Sequence, residues 1–136
     1  MIDRAKLDAR TRNMKAIKSA GMKPEMCVRR TAHMLGFRFR LHRHELPGRP
    51  DIVFPSRQKI IFVHGCFWHQ HRVCKLAHFP KSNLDYWKPK LVRNVERDRR
   101  NVKNLRRLGW RVLVIWECET KQDVKLGIRI KRFLNS

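Results

Sequence analysis

An α/β domain with a mixed β-sheet flanked by helices is the architecture this sequence predicts, and three observations predict it. Apolar residues recur at helical spacing in three separate stretches, and at period two or as short β-branched runs in others. A long helical stretch separates the last strand from the earlier ones. Such a crossover makes the last strand parallel to a neighbour, while the tightly connected earlier strands are antiparallel. At 136 residues the chain is the size of one domain, so residues 1–136 are read as a single unit, with 1–21 as a basic arm. Its 42% apolar and 32% charged residues suit a packed globule rather than a disordered chain.

The elements follow in order. Residues 1–21 carry Arg4, Lys6, Arg10, Arg12, Lys15 and Lys18 with only Leu7, Met14 and Ile17 to bury, which suits a DNA-contacting arm or a frayed terminus. Pro24 opens the first helix beside Glu25, Val28, Ala32 and Leu35 form its apolar stripe, and Gly36 stops it. Phe37, Phe39 and Leu41 alternate with Arg38 and Arg40, a half-buried strand with a basic outer face. Residues 51–54 and 59–63 flank the turn 55–58 as a hairpin, and pairing Phe54 with Lys59 sets Asp51 opposite Phe62. The stretch 65–80 has no regular period but holds Cys66, His69, His71, Cys74 and His78, a loop organised by metal. A helix over 83–108 turns Leu91, Val95, Val102 and Leu105 inward, with Pro89 as a point of kinking and Gly109 as its stop. Residues 111–116 form a buried strand that ends at Glu117 and Cys118, and a last helix over 122–134 is expected to bury Val124, Ile128 and Phe133.

Charge narrows the function. Thirty-three Lys and Arg against 11 Asp and Glu give a formal charge of +22, whose self-repulsion is best relieved beside a polyanion, so nucleic acid is the expected partner. No run approaches the ~20 apolar residues of a membrane helix, and the first residues lack the apolar stretch of a signal peptide. A cytoplasmic protein without membrane contact is expected. Four cysteines in that reducing compartment point to metal rather than to disulfides.

Two constellations carry chemistry. Asp51 opens an apolar strand after the rigid approach Gly48-Arg49-Pro50 and is suited to a hard cation such as Mg²⁺, which needs only one or two carboxylates plus a phosphate. His64 or His69 then positions or deprotonates an attacking water. The competing reading makes Asp51 a turn residue paired with Arg49. Cys66, His71, Cys74 and Cys118 form a Cys₃His set of the kind that selects zinc and, being closed, is structural. Cys27, on the first helix, is read as a buried free thiol. Phe67 and Trp68 inside that loop, with Trp87 as a third ring, are either core or a wedge that slides between base pairs. The cations of the long helix, among them Arg93 and Arg97, suit phosphates.

The runs GRPDIVF, FVHGCFWHQH and NVERDRRNVKNLRRLGWRVLVIWEC closely resemble the very short patch repair (Vsr) DNA mismatch endonucleases. The resemblance implies a restriction-endonuclease-like fold of the PD-(D/E)xK class. It also implies nicking of the T-containing strand at T:G mismatches left by deamination of 5-methylcytosine. It implies Asp51 and the backbone carbonyl of Val63 as Mg²⁺ ligands, His69 activating the water, His64 in support and Glu25 joining through water. It further implies structural zinc at Cys66, His71, Cys74 and Cys118, a wedge of Phe67, Trp68 and Trp87, and the arm in the minor groove. Partners would be double-stranded DNA with a T:G mismatch, mismatch-repair proteins and a cognate cytosine methyltransferase, the enzyme itself acting as a monomer. Val63 stands where relatives carry Thr, and two residues rather than one separate His71 from Cys74. A non-catalytic zinc module that binds DNA, and a nuclease of the same fold with another substrate, are the rival readings.

Overall fold

The computed structural model describes residues 23–72 and 74–136, so the basic arm expected over 1–21 lies outside the described residues. Helix α1 spans Pro24–Met34, with the proline at its first turn and Glu25 complementing the positive end of its dipole. A short strand β1, Arg40–Leu41, pairs with β2, Ile52–Phe54. β2 turns through a 3₁₀ segment, Pro55–Arg57, into β3, Lys59–His64. Helix α2, Leu84–Arg107, crosses to β4, Arg111–Trp116, and α3, Asp123–Leu134, closes the fold. The four-stranded sheet runs β1-β2-β3-β4, antiparallel at its first two pairings and parallel at the last. Phe54 pairs with Lys59, as the turn 55–58 requires.

Strand alternation divides the core in two. Ile52, Phe54, Ile61 and Ile115 face α1 and α3, where Val28, Ala32, Leu126, Ile130 and Leu134 cover them. Val53, Ile60 and Phe62 face α2, covered by Leu105 with Val102 beside it. Because His64 follows Ile60 and Phe62 at period two, it lands on the α2 face, which decides what it can meet. Lys59 is 4% exposed, and its ammonium donates to the carbonyls of Phe133, Leu134 and Ser136 at 2.9, 3.0 and 2.7 Å. A cation is thus set at the negative end of α3, fixing that helix to β3. The outer edge of β4 is closed by an ion pair. Glu119 accepts the Trp116 N–H at 3.1 Å, Arg129 donates to the Val114 carbonyl at 3.3 Å, and the two side chains meet at 3.2 Å.

Three expectations are corrected. The strand expected from Phe37 is reduced to Arg40–Leu41, because Phe37 and Phe39 bury their rings against the α1–α3 core without a ladder partner. In α3 the buried stripe is Leu126, Ile130 and Leu134, while Val124 and Ile128 are exposed and Phe133 is partly buried. In α1 Leu35 is exposed at the C-cap, and Cys27 and Thr31 complete the inward face. Cys27 is a buried free thiol as expected. No helix among the described residues is long and apolar enough to cross a membrane.

Candidate active site and metal centre

The C-terminal end of β3 delivers the candidate residues. The Asp51 carboxylate accepts the Val63 backbone N–H at 2.8 Å, which tethers the loop before β2 to β3. Among the described residues no ion pair joins Asp51 to Arg49, so the turn-pair reading is not what holds the aspartate. Gly48 is needed for this approach. Its φ is +78°, and a Cβ there would lie 2.9 Å from the Asn101 side chain on α2. Burial, and then the neighbouring Glu25 carboxylate, raise the Asp51 pKa against the opposing pull of the Val63 N–H. Glu25, on the first turn of α1, and His42, just past β1, complete a group with Asp51 whose ligand atoms all lie within 4.8 Å of one another. Glu25 Oε1 is buried without a hydrogen-bond donor, an orphan that a hard cation would satisfy, so these carboxylates fit a divalent ion.

A cavity of about 160 Å³ is walled by Asp51, Val63, His64, His69, Asp98, Gly48 and Arg49. His69 Nδ1 lies 2.5 Å from Asp98 Oδ2, which fixes the ring and leaves Nε2 free. His64 stacks on His69 with centroids 4.0 Å apart and planes 7° from parallel. Burial and then the neighbouring His69 push the His64 pKa down to about 4, so that ring is neutral at physiological pH. Asp98 and His42 are the residues the sequence reading missed. Asp98 had a signal: it sits seven residues from both Leu91 and Leu105, each fully buried, and so shares the inward face of α2. His42 had none, since its place beside Asp51 depends on how β1 docks.

Beyond Gly65 the chain turns into the second constellation. The donor atoms of Cys66, His71, Cys74 and Cys118 lie within 4.8 Å of one another. His71 Nδ1 is 3.7 Å from Cys66 Sγ and 3.4 Å from Cys118 Sγ. A tetrahedral zinc site with ordinary Zn–S and Zn–N lengths has S···N edges of about 3.6 Å, so this set fits the ion. Burial pushes the Cys66 thiol up to about 12, a cost that thiolate coordination removes. Glu117 accepts the Cys66 N–H at 3.2 Å and Trp116 stacks on His71 at 4.2 Å, so the end of β4 and the residue after it brace the set. His78 lies apart, its ring against the Lys75 carbonyl.

The rings between Cys66 and His69 do not enter the core. Trp68 is 46% exposed, and with Phe67 and Trp87 it forms a mutual cluster with centroids 5.3–5.7 Å apart. Arg93 and Arg97 lie along the exposed side of α2 below it. The profile of the DNA mismatch endonuclease Vsr family matches residues 2–75, just over half of the chain. This chain belongs to the Vsr family. Among its relatives, the type II nicking enzyme V.XorIIP of Xanthomonas oryzae is 47% identical over 135 residues, covering 99% of this chain and 98% of the relative. The DNA mismatch endonuclease Vsr of Escherichia coli is 43% identical over 120 residues, 86% of this chain and 74% of the relative. The nicking enzyme V.NaeI of Lentzea aerocolonigenes is 45% identical over 125 residues, with coverages of 88% and 74%. In this Vsr-family chain the three strongest sequence signals, around Asp51, His69 and Cys66, come together at one end of β3.

Proposed function

We propose that this chain nicks the T-containing strand of double-stranded DNA at T:G mismatches produced by deamination of 5-methylcytosine, and so starts very short patch repair. The single observation that carries the reading is the His69–Asp98 pair facing Asp51 across one small cavity, in a member of the mismatch endonuclease family. Asp51 and Glu25, with the Val63 carbonyl, would hold a Mg²⁺ ion that neutralises charge developing on the scissile phosphate. His69, held through Nδ1 by Asp98, takes a proton at Nε2 from the attacking water, and the carboxylate stabilises the imidazolium that results. Neutral His64 packs against that ring, so no second positive charge opposes its protonation. Arg49, on the cavity wall, is placed to bind a phosphate oxygen.

The restriction-endonuclease-like class is supported by the mixed four-stranded sheet with helices on both faces. Zinc at Cys66, His71, Cys74 and Cys118 holds the loop stiff, and Phe67, Trp68 and Trp87 form a wedge that enters the stack where a T:G pair stacks weakly. Arg93 and Arg97 follow the phosphates beside it. The enzyme acts as a monomer of one domain in the cytoplasm, with a cytosine methyltransferase and mismatch-repair proteins as functional partners. The test is a nicking assay on matched and T:G duplexes, with and without Mg²⁺. Wild type should cut only the mismatched T strand and only with Mg²⁺, and Asp51→Ala should lower the rate at least about a thousandfold while the protein stays folded. Binding without cleavage by zinc-loaded wild type would make it a DNA-binding module, and cleavage of other structures in preference to T:G would redirect the substrate.

A further inference from the structure

The mixed character of the group around Asp51 carries an inference beyond that reading, although it rests on Asp51 and Glu25 being the cation ligands. His42 follows β1 with a left-handed backbone, φ +49°, a conformation that histidine, like asparagine and aspartate, adopts more often than other non-glycine residues. Its N–H donates to the Asp51 carbonyl at 3.3 Å, so the imidazole and the carboxylate are carried by hydrogen-bonded stretches of backbone. The ring Nε2 stands 3.1 Å from Glu25 Oε1, the separation of a hydrogen bond. It lacks the alignment of one, since Oε1 remains buried without a donor. That contact is an ion pair when the ring is protonated, and it still leaves Oε1 without an aligned hydrogen-bond donor. A cation received by the nitrogen and the oxygen together accounts for both the proximity and the orphaned oxygen.

We propose that His42 is a third protein ligand of the cation held by Asp51 and Glu25, making this a carboxylate–imidazole site that accepts Mn²⁺ more tightly than Mg²⁺. The reason is ligand chemistry. Mg²⁺ holds to oxygen and water in near-ideal octahedra, whereas first-row transition ions take imidazole nitrogen readily. The half-exposed ring leaves room for the phosphate and water that complete the shell.

The test uses zinc-loaded, full-length protein without DNA, titrated with Mn²⁺ or Mg²⁺, because Mn²⁺ does not compete for thiolates. Free Mn²⁺ is counted by its solution EPR signal, and nitrogen ligation is read from ¹⁴N modulation in the pulsed EPR of the bound ion. His42→Ala should lower Mn²⁺ affinity about tenfold and Mg²⁺ affinity less than about threefold. It should also weaken the ¹⁴N modulation, while the melting temperature falls only by the small amount that alanine costs at a left-handed position. Either an unchanged Mn²⁺ affinity or an unchanged ¹⁴N modulation in His42→Ala overturns the proposal. Asp51→Ala separates this from failure of the underlying reading. If it abolishes Mn²⁺ binding while His42→Ala is silent, only the role of His42 is wrong, whereas Mn²⁺ binding that survives Asp51→Ala removes the cation site itself.

Discussion

Of the three groups of metal-capable side chains gathered near the end of β3, two are built on opposite plans. The Cys66–His71–Cys74–Cys118 set draws three ligands from one short loop and the fourth from the end of β4, with backbone amides and an aromatic ring packed around it. The Glu25–His42–Asp51 set draws one ligand from each of three distant stretches, and one side of it opens on a cavity. The first offers four soft or borderline donors and no vacancy, a structural arrangement. The second offers carboxylate oxygens with an orphan among them, an imidazole and space for a ligand, the arrangement a catalytic cation site requires. The two sets meet within a four-residue segment, since the Val63 N–H holds Asp51 of the open set and Cys66 belongs to the closed one.

Breaking the closed set should have the largest effect. Structural zinc contributes about 10–16 kcal/mol in small zinc domains, so Cys118→Ser or a strong zinc chelator should abolish cooperative unfolding at 37 °C, followed by circular dichroism with zinc content measured in parallel. A zinc-free protein that melts normally would mean that the cluster is only a group of reduced thiols. Next comes the support of the open side. Asp98→Asn keeps the size of the side chain but removes the charge that stabilises protonated His69, and should lower the single-turnover nicking rate by about 10²–10³ with little change in DNA affinity. Trp68→Ala should weaken binding to the mismatched duplex by about 5–150-fold, the 1–3 kcal/mol of one stacked ring, while leaving the melting temperature in place because the ring is exposed.

The smallest effect sharpens the contrast most. Burial raises the Asp51 pKa in the fold, so the folded state holds its proton more tightly than the unfolded chain does. The stability contributed by this group is therefore intact below the ordinary carboxylate range and is lost as pH rises through the raised value. Without Mg²⁺, Asp51→Asn should increase Tm at neutral pH by a few degrees, and the difference should vanish as pH falls towards 4. Added Mg²⁺ should stabilise wild type alone. An Asp51→Asn protein less stable than wild type at every pH would show that the carboxylate holds structure together, as the thiols do, rather than being kept at a cost for function.

Much of this was legible along the chain. The hairpin register, with Phe54 on Lys59, follows from turn length, and the bounds of α2 and β4 follow from Gly109 and from the apolar run after it. Close spacing announced the thiol set, because residues five and eight apart in a loop can meet without help from the rest of the fold. The stripe of α3 was not legible. Val124 and Ile128 on one side, and Leu126, Ile130 and Leu134 on another, both satisfy helical spacing, and only the sheet decides which stripe it covers.

What the amino-acid sequence determined by itself was therefore local: element type, turn register, the closely spaced thiol and imidazole loop, the surplus of positive charge and most, though not all, of the candidate groups for chemistry. What only the tertiary structure decided was which of those groups face one another. His69 meets Asp98 across 29 positions, and Asp51 meets Glu25 and His42 through the docking of α1 and β1. Periodicity fixes the direction of a side chain relative to its own helix or strand, but the distance between elements is set by how their apolar faces pack.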